Sequence, residues 1–288
     1  MGGFLRNMKA GVFYHPDFSK KGHITLRHRV EPGFNALHKL IQSKKIQVFT
    51  PYIDDESNQL LLQTHHKEHI ARVQSTPYHE VALLSAAGVM QAAQKLACRE
   101  LDFAFCFVGS AGHHAGYNYT WGFCYYNDAA MAVNKLRSLG IGKIMIIDVD
   151  PHSGDGTRDI LGKDPAIIHI NYHADEEYNY ADHERQNFGI LIDGADDKVF
   201  LQAVDGYLQQ QWDYEFLIVI LGHDGHGQDY GDFYLSTAAY RQFAVRIKEF
   251  AAGKPMLFVL SGGSNPWVAA EVIPAVIEVF TESALAVP

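Results

Sequence analysis

Short apolar runs recur along the chain, separated by segments whose apolar residues follow the helical period. Runs at Gly11–Tyr14, Gln47–Phe49, Phe103–Val108, Ile144–Ile147, Ala166–Ile170, Phe216–Leu221 and Met256–Leu260 read as strands. The unbroken ones suit strands covered on both faces. Helical spacing predicts segments at Gly33–Gln42, the later part of Leu61–Val73, Glu80–Glu100, Asn127–Leu139, Lys198–Gln211, Ser236–Ala252 and Pro266–Phe280. The clearest is Glu80–Glu100, where Val81, Leu84, Ala87, Val89, Ala92 and Leu96 recur near every 3.6 residues. This order predicts a three-layer α/β fold, a mostly parallel central sheet flanked by helices. No linker-like Pro/Gly/Ser tract or internal repeat interrupts the 288 residues, so a single domain over 1–288 is expected.

Four of the apolar runs end in polar or glycine-rich sequence. Phe103–Val108 leads into Gly109-Ser110-Ala111-Gly112-His113-His114, and Ile144–Ile147 into Asp148-Val149-Asp150-Pro151-His152. Phe216–Leu221 leads into Gly222-His223-Asp224-Gly225-His226, and Met256–Leu260 into Ser261-Gly262-Gly263-Ser264-Asn265. Ligands of open parallel sheets bind at the carboxyl ends of the strands, so the four clusters are expected to meet in one crevice. Strand alternation turns Asp148, Asp150 and His152 the same way. Gathering two carboxylates and an imidazole is costly unless a cation offsets it, and Zn²⁺ accepts both donor types. Asp150 and His152 supply two ligands and Asp224 a third; an open fourth position marks a catalytic rather than a structural zinc. His113 and His114 then lie beside the metal as proton-transfer groups, with Asp148 and Asp155 the nearest carboxylates to orient them.

Composition narrows the classes. Hydrophobic residues make up 47% and charged residues 20%, enough apolar material for a sizeable core. The formal net charge of −9 argues against a nucleic-acid binder or an anionic-membrane binder. Cys98, Cys106 and Cys124 lie far apart; they suit a reducing compartment and give no disulfide framework or CxxC zinc site. No apolar stretch reaches the roughly 20 residues that span a bilayer, and Met1–Lys9 has no long apolar core after its basic residues, unlike a signal peptide. A cytoplasmic location is expected, with no membrane partner; a homo-oligomer stays open.

Three segments carry a specific resemblance. Gly112-His113-His114-Ala115, Gly122-Phe123-Cys124-Tyr125-Tyr126-Asn127-Asp128, and Asp148-Val149-Asp150-Pro151-His152-Ser153-Gly154-Asp155-Gly156-Thr157 resemble the central motifs of the histone deacetylase superfamily. That group includes acetylpolyamine amidohydrolases and acetoin-utilisation-type proteins. Asp224, followed by Asp229-Tyr230-Gly231-Asp232, resembles the segment with the third zinc ligand. A weaker likeness reaches the N-terminal third and Leu260-Ser261-Gly262-Gly263. The resemblance implies an arginase-like α/β fold and zinc-dependent hydrolysis of an acetylated lysine, polyamine or small amide. Carried over by position, Asp150, His152 and Asp224 bind zinc, and His113 and His114 form a catalytic pair backed by Asp148 and Asp155, with His114 the general base. Gly122 and Phe123 line the substrate channel. A structural potassium ion would draw on Asp148, Asp150 and His152.

The chain departs from the family pattern at Ser264, where active members usually carry a tyrosine after the paired glycines. Serine is too short to place a hydroxyl where a phenol would reach, and losing one oxyanion donor costs about 10²–10³ in rate. Asn265, His226 or Tyr117 reaching in, a more activated substrate, or a weak or inactive relative that binds an acyl ligand are the alternatives. A second departure, Ser153 after the histidine ligand, does not touch the ligand set. A dinuclear ureohydrolase is disfavoured, because Ser153 and Gly154 offer no further ligands.

Other signals read as structure. His65, His66 and His69 lack the Glu of HExxH and fit an exposed helix face. His169 and His173 suit a hydrogen-bonded structural role, and Asp175-Glu176-Glu177 with Tyr178 and Tyr180 a solvated loop. His226 is counted with Gly122, Phe123, Ser264 and Asn265 as a substrate-pocket candidate. Gly262-Gly263 lacks the context of a phosphate loop, and neither Ser110 nor Ser264 sits in Gly-x-Ser-x-Gly.

Overall fold

The computed structural model describes residues 8–282; most of the segment read above for a leader, residues 1–7, lies outside them. Strands β1 (Ala10–Phe13), β2 (Ile46–Phe49), β3 (Phe103–Cys106), β4 (Ile144–Asp148), β5 (Ile167–His173), β6 (Tyr180–Asp182), β7 (Asn187–Leu191), β8 (Phe216–Leu221) and β9 (Met256–Leu260) form one sheet. Its order is β2-β1-β3-β9-β8-β4-β5-β7-β6. Every neighbouring pair is parallel except β6 with β7, giving the α/β architecture with a mostly parallel central sheet.

Residues of β3, β4, β8 and β9 are buried throughout, as strands covered by helices on both faces must be. Helix His79–Ala97 packs on β1, β3 and β9 and against Asp128–Ser138. Thr237–Ala251 packs against Pro266–Thr281, which also covers Arg27–Asn35. The sheet order places the site. Strands β3, β9, β8 and β4 are consecutive neighbours, and each is followed by one of the four polar clusters. Their carboxyl ends therefore deliver all four to one edge.

The apolar runs at β8 and β9 coincide with the strands, and β1, β2, β4 and β5 shift by a few residues. Two readings are corrected. Gly33–Gln42 is two helices, Arg27–Asn35 and His38–Gln42. The later part of Leu61–Val73 is helical as expected, in Lys67–Gln74, and is set off from Asp55–Thr64 by the extended His65 and His66 (φ/ψ −123°/149° and −65°/143°). His65 and His69 are buried, not on an exposed face. The antiparallel pair β6–β7 and helix Asp155–Leu161 were not foreseen.

Candidate metal centre and active site

Strand β4 stops at Asp148, and the backbone then folds so that two amides point back at carboxylates. The Asp150 N–H donates to Asp148 Oδ1 (3.1 Å) and the His152 N–H to Asp150 Oδ1 (3.1 Å). His152 Nδ1 lies 3.0 Å from Asp150 Oδ1 and 3.3 Å from Asp224 Oδ2. Ligand atoms of Asp150, His152 and Asp224 all fall within 4.8 Å of one another. Asp150 also accepts from the Gly262 N–H (2.7 Å). This approach requires glycine: a Cβ at 262 would collide with the carboxylates of both Asp150 and Asp224. Beneath it, the fully buried Arg29 guanidinium donates to the carbonyls of Ser261 and Gly262, fixing that loop under the acids.

The residues fit a divalent metal. Asp150 and Asp224 are completely buried, and among the described residues neither oxygen of Asp224 accepts a hydrogen bond. Burial, then the negative charge of Asp150, pushes the Asp224 carboxyl up to about 6. His152 moves the other way: burial opposes its protonation, yet its bond to Asp150 and the nearby Asp224 carboxylate push it up to about 11. A proton on His152 thus takes up charge that a cation would otherwise neutralise. Two carboxylates and one imidazole suit zinc and leave coordination positions open.

The paired histidines follow β3. Asn127 anchors their loop, donating to the Ala115 carbonyl and Thr157 Oγ1 (both 3.1 Å), and the Thr157 N–H donates to the His113 carbonyl (3.0 Å). His113 Nδ1 meets Asp148 Oδ2 at 3.0 Å, and its Nε2 lies 3.7 Å from Asp150 Oδ2. His114 Nδ1 meets Asp155 Oδ1 at 2.7 Å. The two environments drive the rings apart. Burial opposes charge on His113, but Asp150 and Asp148 outweigh it and push it up to about 9. Burial and then the charge of His113 pull His114 down to about 4, against its bond to Asp155.

A cavity of about 220 Å³ ends on these groups. His113, His114, Asp150, His152 and Asp224 form its polar floor, and Leu26, Ala111, Trp121 and Phe123 its apolar wall. Gly122 and Phe123 are consecutive left-handed residues (φ +57° and +64°). For Phe123 that conformation costs roughly 1–2 kcal/mol, strain of a kind that concentrates at functional sites. It sets the Phe123 ring 4.6 Å from His23, nearly parallel to it.

A model of the histone deacetylase domain matches residues 45–280. The chain belongs to the histone deacetylase family. It is 25% identical to a probable deacetylase of Archaeoglobus fulgidus, over 89% of this chain and 81% of that one. It is 30% identical to acetylpolyamine amidohydrolase 2 of Pseudomonas aeruginosa, over 63% of this chain and 57% of that one. Histone deacetylase 5 of Arabidopsis thaliana is 31% identical over 65% of this chain, which spans only 32% of the plant protein. The crystal structure of the HDA15 HD domain superposes with a TM-score of 0.82 at 21% identity, over 96% of this chain and 89% of that one; this is likeness of fold.

Of the residues singled out from sequence, His113, His114, Asp150, His152, Asp224, Gly122 and Phe123 line the cavity, with Asp148 and Asp155 directly behind the histidines. Ser264, Asn265 and His226 are not brought to it. Ser264 faces Asp229, Asn265 caps helix Pro266–Thr281, and His226 Nε2 lies against Thr237 Oγ1. Tyr117 is exposed beside His66. His169 and His173 are buried in β5, His169 against Asn187 and His173 against Asp175 and Tyr178, away from the cavity. Asp175 accepts from the Ser153 N–H (2.6 Å) and is tied to the site's backbone rather than left to solvent.

Two aromatic cavity residues were given no role from sequence. Trp121 lies over His114 (centroids 3.7 Å apart, ring planes tilted by 33°) and donates its indole N–H to Asp155 Oδ2 (2.9 Å). Tyr230 closes the cavity beside His152. The only available signals were that Trp121 lies directly beside the quoted Gly122 segment and Tyr230 within the quoted Asp229–Asp232 segment.

Proposed function

We propose that this chain is a single deacetylase-like catalytic domain that uses zinc to hydrolyse the amide of an acetylated lysine, polyamine or small amine. The observation that carries this reading is the orphaned Asp224 carboxylate set against Asp150 and His152 at the base of an apolar-walled cavity. Zinc held by those three residues supplies Lewis-acid polarisation of the carbonyl and acidifies water.

The histidines divide the proton work. Asp155 engages Nδ1 of His114, leaving Nε2 to accept the proton of the attacking water. His114 suits this role because burial keeps it neutral. His113, held between Asp148 and Asp150, keeps a proton to give to the departing amine. A cation at Asp150 weakens that carboxylate's pull on His113 but leaves the pull of Asp148. The apolar wall excludes water from the aliphatic part of the substrate. A structural potassium ion, where bound, would draw on Asp148, Asp150 and His152. The acidic net charge and the family make acylated amines, rather than nucleic acid, the partners we expect.

One observation favours a second reading: Ser264 faces Asp229 instead of the cavity, as in a protein that binds an acylated amine without turning it over. Turnover separates the two. Zinc-loaded protein is offered an acetyl-lysine peptide, a trifluoroacetyl-lysine peptide and an acetylpolyamine, with Asp150→Ala as the blank. Release of acid and free amine above the blank supports the deacetylase; saturable binding of all three without release supports the binder.

A further inference from the structure

We propose that Tyr230 is a catalytic residue: its hydroxyl is the oxyanion donor that Ser264 cannot be, delivered from a different loop. The assignment rests on the deacetylase reading above and names the group that completes it.

The relation between the two loops makes the argument. Asp229 binds the turn after β9 through several donors: the Ser264 N–H reaches both carboxylate oxygens (3.0 and 3.1 Å), Ser264 Oγ reaches Oδ1 (3.2 Å), and the Asn265 N–H reaches Oδ2 (3.0 Å). His223 Nδ1 lies 3.0 Å from Asp229 Oδ2 from below. Ser264 is thereby turned toward Asp229, and its hydroxyl is spoken for. The same clamp fixes the next residue, Tyr230, against that turn. The Gly263 N–H donates to the Tyr230 hydroxyl oxygen at 3.0 Å. The phenol oxygen thus sits beside the residue immediately preceding Ser264, close to where a longer side chain from position 264 would begin.

That bond also sets the direction of the proton. A tyrosine hydroxyl has one donor. Its oxygen accepts from Gly263, so its own O–H is left to point into the cavity it shares with Asp150, His152 and Asp224. The Tyr230 ring centroid is 6.0 Å from that of His152. As negative charge gathers on the former carbonyl oxygen, the Tyr230 O–H donates to it and keeps its proton throughout; no bond to hydrogen breaks. Other donors are committed or remote. The Trp121 N–H is held by Asp155, and Asn265 Nδ2 by the Gln228 carbonyl. His226 and Tyr117 do not line the cavity, and of the described residues that do, Tyr230 alone carries a hydroxyl.

The test is Tyr230→Phe in the full-length, zinc-loaded protein, read in two ways. Steady-state kinetics on the best acylated amine should show kcat lower by about 10²–10³-fold with KM little changed. Separately, a trifluoromethyl ketone analogue of that substrate, whose hydrate carries the tetrahedral oxygens, should bind Tyr230→Phe more weakly by a similar factor. Affinity for the product amine and zinc content should stay as in wild type, which separates a lost donor from a damaged fold. If wild type turns substrate over and Tyr230→Phe matches it within twofold in kcat and analogue affinity, Tyr230 is not the donor and the deacetylase reading stands. If wild type releases no amine from any acylated substrate, the deacetylase reading falls and this assignment with it.

Discussion

Trp121 holds the carboxylate that holds His114. Its indole N–H donates to Asp155 Oδ2 at 2.9 Å, while Asp155 Oδ1 meets His114 Nδ1 at 2.7 Å. The indole ring covers the same histidine. Burial alone would raise the Asp155 carboxyl; bonds from His114 and Trp121 bring it below its ordinary value instead. His114, the proposed base, is therefore oriented and kept dry by a residue that need not touch the reacting bond.

Trp121→Phe keeps the apolar cover and removes the donor. Groups that orient active-site side chains typically contribute about 10–100-fold. We expect kcat/KM to fall by at least about tenfold with zinc content unchanged. Unchanged kinetics would show that Asp155 orients His114 without help.

Gly262 leaves no room for a side chain between Asp150 and Asp224. Gly262→Ala should force the two carboxylates apart and weaken metal binding by about 100-fold or more, the upper end of what neighbouring groups contribute. Competition with a chromogenic chelator reads this directly. Wild-type affinity in the variant would mean that the acids do not close on one ion.

His65 gives a pH test away from the metal. Its Nδ1 lies 2.9 Å from the Gly116 carbonyl, and its Nε2 accepts from the Asn127 N–H at 2.9 Å. Only the neutral ring satisfies both, and burial foremost lowers it to about 3. Its ordinary value of 6.5 applies to the unfolded chain, which therefore binds one more proton than the folded protein between about 3 and 6.5. Stability from His65 is fully present above 6.5 and is lost as pH falls. His65→Gln is expected to be destabilising at pH 7, and its deficit should shrink by on the order of 1–2 kcal/mol by pH 5. Urea unfolding of both proteins at the two pH values measures the difference; a constant deficit would mean that His65 takes up its proton as readily in the folded as in the unfolded chain.

Some of this was open to reading along the chain, for identifiable reasons. An unbroken apolar run such as Phe216–Leu221, short and rich in β-branched residues, reads as a covered strand, and its bounds coincide with β8. The candidate ligands stood out because Asp150, His152 and Asp224 each follow such a run, and neighbouring strands in the sheet carry their ends together. The pair β6–β7 was hidden because an edge strand such as Tyr180–Asp182 is short and partly exposed, without the pattern of a core strand. The burial of His65 was hidden because its partner, the Gly116 carbonyl, is distant in sequence. Trp121 and Tyr230 were passed over for a related reason. An aromatic residue declares its role only through what it touches, and nothing in linear order brings Tyr230 beside Gly263.

The account rests on one ion held by Asp150, His152 and Asp224. Native mass spectrometry of protein purified without chelators tests it most directly, with Asp150→Ala prepared alongside. We predict one transition-metal ion per wild-type chain and none on the variant. A metal-free wild type, or a variant that keeps the same ion, would contradict it.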